Sequence, residues 1–195
     1  MTVSDQTDKI ETPWAVDSLW TTWFMNCRTI QYWSDLYNWE RWFDIHPEVR
    51  SVVELGSGSG GLSLFFRLQA MQRNMRFFTI DTAQVPAAQT ELARAVGLSS
   101  CCITEDMWAN DSRTIISLLV NLPHPLVLLC DGGNKPREFQ FFVPHLQPGD
   151  FVAVHDWGNE FTIADVTPAV APLVEMIYVA ESEAAGTLTR WFKRL

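Results

Sequence analysis

Acidic and imidazole side chains stand at the carboxyl ends of successive apolar runs in this chain: Glu54, Asp81, Asp106, Asp131 and the adjacent pair His155-Asp156. Asp131 closes the run Pro125-Leu-Val-Leu-Leu-Cys130, and His155-Asp156 closes Phe151-Val-Ala-Val154. Two carboxylates and an imidazole converging on one rim are a donor set for a hard or borderline divalent ion, with open positions for a substrate's oxygens. Such an ion would lower the pKa of a bound hydroxyl and hold it in line with an electrophile. Lys135 is one candidate general base, if burial or the ion depresses its pKa. His155 is the other, provided it is not itself a ligand. A plainer reading stands beside this one: acids at strand ends cap the following helix, and a neighbouring histidine is their hydrogen-bond partner.

The elements that would position these groups are organised around Ser51-Val-Val-Glu-Leu-Gly-Ser-Gly-Ser-Gly-Gly-Leu-Ser-Leu-Phe-Phe66. It reads as a buried strand, a glycine turn and the apolar side of a helix, the nucleotide-cradling corner of a doubly wound α/β fold. Gly56, Gly58 and Gly61 satisfy the dinucleotide fingerprint G-x-G-x-x-G. Gly56, Gly58 and Gly60 satisfy the acidic-x-G-x-G-x-G pattern of S-adenosylmethionine sites, with Glu54 as the acid and Ser57 inside the loop. A carboxylate there suits a cationic methionine moiety and would repel a pyrophosphate, so the balance falls to S-adenosylmethionine. Asp81, followed by Thr82, ends the second strand (Arg76 to Asp81), where a ribose diol is held; its plainer role is a helix N-cap. Asp106 and Met107 follow the third strand, where an acid accepts from the adenine amino group and an apolar side chain covers the ring; a solvated turn acid is the alternative.

The spacing predicts helices over 62–74, 86–96, 112–120 and 137–146 between five parallel strands, then a terminal β-hairpin of Ile177 to Glu181 and Thr187 to Leu195 turning at Gly186. The expected fold is therefore a single doubly wound, Rossmann-like α/β domain, with a mostly parallel seven-stranded sheet and an antiparallel strand inserted near its edge. Residues 46–195 would form this domain and residues 1–45 a Trp-rich helical cap, with Asp17 and Ser18 capping a helix from Leu19 and Ser34 or Asp35 beginning another. Trp20, Trp23, Phe24 and Cys27 lie at helical offsets, which reads as a packed face, or else as a substrate wall or a homo-oligomer contact.

At 195 residues the chain has room for one domain with a sizeable core. A net charge of -9, with no basic run, argues against nucleic acid and for a small-molecule substrate. Residues 1–12 are polar and acidic, without the apolar stretch of a signal peptide, and no run is long enough to span a membrane. The four cysteines lack metal-type spacing and read as free thiols of a cytoplasmic protein.

With these residues in place, the chain resembles class I S-adenosylmethionine-dependent methyltransferases. More narrowly it resembles the cephalosporin hydroxylase-type family, which includes macrolide sugar O-methyltransferases. The resemblance runs through Ile30-Gln31-Tyr32-Trp33-Ser34-Asp35-Leu36, the loop with Glu54, Gly56, Gly60, Gly61, Ser63, Leu64, Phe65 and Phe66, then Asp131-Gly132-Gly133-Asn134 and Pro148-Gly149-Asp150 through His155-Asp156. It implies a methyltransferase acting on a hydroxyl of a small molecule such as a sugar or natural product. It also implies that Asp131, His155 and Asp156 hold a magnesium ion, and that the base stands at Asn134. Asparagine cannot take a proton at neutral pH, and imidazole shifts the preference toward manganese, iron or zinc. A non-catalytic S-adenosylmethionine-binding or assembly protein and a nicotinamide-dependent oxidoreductase are the competing readings.

Overall fold

A computed structural model describes residues 22–195. The expected cap at Asp17-Ser18 and the polar stretch 1–12 lie outside the described residues. Thr22 to Thr29, which overlaps the helical offsets noted above, is an antiparallel hairpin: β1 (Thr22–Phe24) and β2 (Cys27–Thr29). Met25 and Asn26 both take positive φ, 49° and 62°, the pair of left-handed residues that a two-residue hairpin turn needs. The alternation of buried Thr22, Cys27 and Thr29 with exposed Trp23 and Arg28 follows from strand geometry.

Helix α1 (Trp33–Ile45) follows, closed at its start by Asp35, whose carboxylate accepts from the Tyr32 backbone N–H at 3.1 Å. The doubly wound body comprises β3 (Ser51–Leu55), α2 (Gly61–Arg73), β4 (Arg76–Asp81), α3 (Glu91–Ala95), β5 (Cys102–Thr104), α4 (Arg113–Asn121), β6 (Leu126–Cys130), α5 (Lys135–Phe142) and β7 (Phe151–Val154). It ends with β8 (Val174–Ile177), α6 (Val179–Ala184) and β9 (Arg190–Arg194). Strand order in the seven-stranded sheet is β5-β4-β3-β6-β7-β9-β8, with β9 antiparallel to both its neighbours. The expected fold class, its sheet and its antiparallel terminal pair are all present. The connection between the last two strands differs, because Tyr178 turns out of the strand at φ 57° and the Ala- and Glu-rich stretch after it coils into α6.

The sheet is buried on both faces, as continuous apolar strands require. Val52, Phe77, Val127, Leu129 and Trp191 face α1 and α2, whereas Val53, Leu55, Ile80, Leu128 and Phe192 face α4 and α5. The crowded aromatics divide. Trp39, Trp42 and Phe43 are fully buried, with Trp39 meeting Phe66 at 4.8 Å and Trp191 at 5.3 Å between ring centroids, while Trp23, Trp33 and Tyr37 are exposed. All four cysteines are free thiols. No helix among the described residues is long and apolar enough to cross a membrane.

Candidate cofactor cleft and acidic rim

Parallel strands end together, and helices leaving β3 and β6 pass to opposite faces, which opens a crevice at this switch point. A cleft of about 530 Å³ lies there, within the range of about 300–1,000 Å³ that small ligands occupy. Its wall includes Glu54, Gly56, Ser57, Gly58, Gly60, Asp81, Thr82, Asp106, Met107, Asp131, Lys135, His155 and Asp156. Every residue marked by the strand-end pattern thus borders one hollow.

The first loop is held tightly against its neighbours. Gly56 N–H donates to Ile80 C=O at 2.9 Å and Asp131 N–H to Leu55 C=O at 3.0 Å. Gly56 has φ +89°, and a Cβ there would stand 2.3 Å from the Asp131 carbonyl oxygen, so this glycine serves a close backbone approach. Gly58, at φ +51°, has only Ile30 Cδ1, at 4.0 Å, near its Cβ direction. Asp81 Oδ2 accepts the Gly58 N–H at 2.9 Å and Oδ1 accepts the Ala83 N–H at 3.3 Å. Oδ1 also accepts the Thr82 hydroxyl at 3.3 Å, so Oδ2 is the oxygen that keeps a second lone pair for a ligand hydroxyl. Asp106 is exposed, with Oδ1 accepting the Trp108 N–H at 2.9 Å, a turn-closing bond that leaves Oδ2 to the cleft. The Ser57 hydroxyl is bound at 2.5 Å to that of Thr79.

Glu54 differs from the exposed carboxylate that a strand-end acid suggests. It lies in the central strand β3 and is buried; Oε2 accepts from Ser63 Oγ at 2.5 Å, and Oε1 has no partner among the described residues. Burial pushes its pKa up to about 8, against the opposing pull of the Ser63 hydroxyl. A buried carboxyl oxygen without a partner, beside a glycine loop open to the same hollow, fits a ligand that brings its own ammonium.

The rim beyond β6 and β7 is a web of ion pairs. Lys135, at the first turn of α5, is buried, and its Nζ stands 2.7 Å from Glu160 Oε2, 2.9 Å from Asp156 Oδ2, 3.6 Å from Asp131 Oδ1 and 3.3 Å from the Gly132 carbonyl oxygen. Asn134 places it: this residue is the N-cap of α5, its Oδ1 accepting the Arg137 N–H at 3.1 Å. His155 Nδ1 lies 3.3 Å from both Asp131 Oδ1 and Asp156 Oδ1, and its Nε2 faces Asp35 Oδ2 at 3.7 Å. Gln31 Nε2 donates to Asp131 Oδ2 at 2.7 Å. Asp156 takes φ 58°, a left-handed conformation that aspartate tolerates better than most residues.

These contacts set the protonation of the rim. Burial alone would lower the pKa of Lys135, but Asp131, Glu160 and Asp156 outweigh it and raise the value above an ordinary lysine's. His155 follows the same balance: burial opposes its charge, and Asp131, Asp156 and Asp35 hold it well above the usual imidazole range. Asp156 is driven well below the carboxylate range, first by its bond to His155 and then by Lys135. An ammonium with its protons committed to three acceptors has no lone pair for a substrate hydroxyl. The role of base assigned to Lys135 on sequence grounds required a depressed pKa, and the surrounding carboxylates reverse that; His155, the other candidate, is held protonated by the same carboxylates and does not suit the role either.

Donor atoms of Asp131, His155 and Asp156 lie within 4.8 Å of one another, close enough to share an ion. The neighbours do not suit one. A divalent ion there would compete for the same carboxylates with the Lys135 ammonium, which stands 2.9 Å from Asp156 Oδ2 and 3.6 Å from Asp131 Oδ1, and the two like charges repel. His155 Nδ1 is 3.3 Å from each of the two carboxylates, a spacing that its own N–H bridges. The residues present therefore do not fit a metal.

Sequence reasoning missed Glu160, which sits in a loop with no motif, and gave no chemical role to Gln31 or Asp35, although both lie in the quoted Ile30–Leu36 segment.

Comparison with solved structures adds the fold's relatives. A structure described as "cmcI-N160 SAH" superposes with a TM-score of 0.62 at 17% identity, over 91% of this chain and 84% of that one. The chain shares that structure's Rossmann-like α/β fold. A second, "cmcI-D160 Mg-SAM", gives 0.57 at 19% identity, over 89% of this chain and 76% of that one. A point mutant of MtNAS in complex with S-adenosylmethionine gives 0.52 at 15% identity, over 84% and 62%. No protein-family model matches the chain, and no curated protein does.

Proposed function

We propose that the protein binds S-adenosylmethionine in this cleft and methylates a hydroxyl of a small acceptor. One observation carries the reading: Glu54, Gly58, Asp81, Asp106 and Asp131, from four different strand ends, border a single hollow at the switch point. Similar folds solved with SAH, with Mg-SAM and with S-adenosylmethionine support it. In this reading Asp81 holds the ribose, Asp106 the adenine amino group with Met107 over the ring, and Glu54 and the Gly56–Gly60 loop hold the methionine end.

S-Adenosylmethionine supplies an electrophilic methyl carbon: as the acceptor oxygen bonds to it, the carbon–sulfur bond breaks and sulfur keeps the pair as a neutral thioether. The chain's own part is to place the acceptor and take its proton. Asp131 borders the cleft with one oxygen fixed by Gln31 and receives the hydroxyl proton. His155 and Lys135 hold Asp131 in place and balance the rim's charge. Orientation of this kind supplies much of what a bimolecular transfer needs.

Calorimetry with S-adenosylhomocysteine and with NAD tests the proposal. Binding of the former alone is expected; tighter binding of NAD would replace this reading with a nicotinamide-dependent one. A second reading, a binding protein without turnover, draws on the two cations of the rim and on Asn134 serving as a helix cap. Bound S-adenosylhomocysteine with no methylation of any hydroxyl acceptor would favour it.

A further inference from the structure

The acids at the ends of β6 and β7 already have a cation between them. Lys135 is buried and is the first residue of α5, directly after the N-cap residue Asn134. Its Nζ is within 4 Å of three carboxylates from three places in the chain: Asp131 after β6, Asp156 after β7, and Glu160 in the loop beyond. Glu160 belongs to no strand end and lies outside the Asp131, His155 and Asp156 set, yet it makes the shortest of the three contacts, at 2.7 Å. A cradle that recruits an extra acid around an ammonium is built for that ammonium.

We infer that Lys135 is the resident cation of the rim, occupying the place of a divalent ion, so that the site works without metal. This rests on the methyl-transfer reading of the cleft. Lys135 acts here as a positioning residue: its three protons go to Asp156, Glu160 and the Gly132 carbonyl, fixing the loops after β6 and β7 so that Asp131 faces the acceptor. The compact ammonium suits the role because its donors rotate to meet acceptors from any direction.

The test is a manganese titration followed by electron paramagnetic resonance, run on the full chain without other ligands. Wild type and Lys135→Arg, which keeps the charge, are expected to leave millimolar Mn²⁺ free. Lys135→Met is expected to gain one Mn²⁺ site at least tenfold tighter than any in wild type. Stoichiometric Mn²⁺ binding by wild type, or a folded Lys135→Met protein that gains no site, would overturn the inference. Should Lys135→Met fail to fold, the wild-type titration decides alone. Calorimetry with S-adenosylhomocysteine on the same wild-type sample reads the cofactor site separately, so a failure of the methyl-transfer reading leaves the manganese result interpretable.

Discussion

Asp35, in the first turn of α1, sets its Oδ2 3.7 Å from the Nε2 of His155, at the end of β7, and both side chains are buried. Asp35 Oδ1 also accepts the Thr189 hydroxyl at 3.0 Å and the Thr187 hydroxyl, so one carboxylate ties the amino-terminal helix, the rim and the approach to β9. Burial opposes its charge, but His155 and the two threonines hold its pKa below the ordinary carboxylate range.

Removing that carboxylate should therefore be costly. Asp35→Ala leaves His155 without its deep partner and strands two hydroxyls. Breaking a buried pair from one side costs about 3–5 kcal/mol. Urea unfolding is the measurement, and a loss under about 1 kcal/mol, the level of an exposed pair, would show the contact to be incidental.

Asp81→Ala should weaken S-adenosylhomocysteine binding at least tenfold, since a hydrogen bond to a charged group contributes about 1.5–3 kcal/mol and about 1.4 kcal/mol is a factor of ten. Unchanged affinity in calorimetry would remove Asp81 from the ribose position.

The two loop glycines should separate stability from binding. Gly56→Ala drives a methyl into the Asp131 carbonyl at positive φ and should lower the melting temperature severely. Gly58→Ala meets no neighbour closer than Ile30, so it should cost only about 1 kcal/mol of backbone strain while impairing ligand binding. Equal melting temperatures for the two variants would contradict this division.

Stability of the unliganded protein should peak in mildly acidic solution. Asp35 and Asp156 have depressed pKa values, so their contribution is present above the unfolded value near 3.8 and lost as pH falls below it. His155 is raised, so its contribution is complete below 6.5 and fades as pH climbs through its folded value. Glu54 is raised to about 8, so folding disfavours its ionisation and stability declines as pH rises from 4.5 to about 8. Glu54→Gln removes that last penalty and should flatten the alkaline limb by roughly 4 kcal/mol, read from unfolding at about pH 5 and about pH 9. A ligand ammonium beside Glu54 would favour its ionised form, so S-adenosylhomocysteine binding near neutral pH should release a proton, visible as a buffer-dependent enthalpy.

Most of the fold was legible because its signals are local. Strands β3, β6 and β7 are short apolar runs ending in acids or glycine, and β4 ends in Asp81; the alternation of strand and helix then leaves few topologies. The cleft residues were legible for the same reason, since a parallel sheet brings strand ends to one rim. The amino-terminal hairpin was not, because aromatic residues at helical offsets fit either face of two short strands, and the turn at Met25-Asn26 decides otherwise. Protonation at the rim was also out of reach. Whether Lys135 is a base or a fixed cation depends on Asp156 and Glu160 arriving from distant segments, and Glu54 looks like a solvated acid until both faces of β3 are covered.

Strand β9 is translated after β8 yet lies between β8 and β7. During synthesis β8 therefore emerges with no partner and must wait, and β7 keeps an open edge, until the residues of β9 clear the ribosome and slide into the gap. Thr187 and Thr189 arrive with that same segment, so Asp35 receives its hydroxyl partners only after β8 has emerged. The nascent protein can thus build its glycine corner before Asp35, the carboxylate behind His155, has its hydroxyl partners.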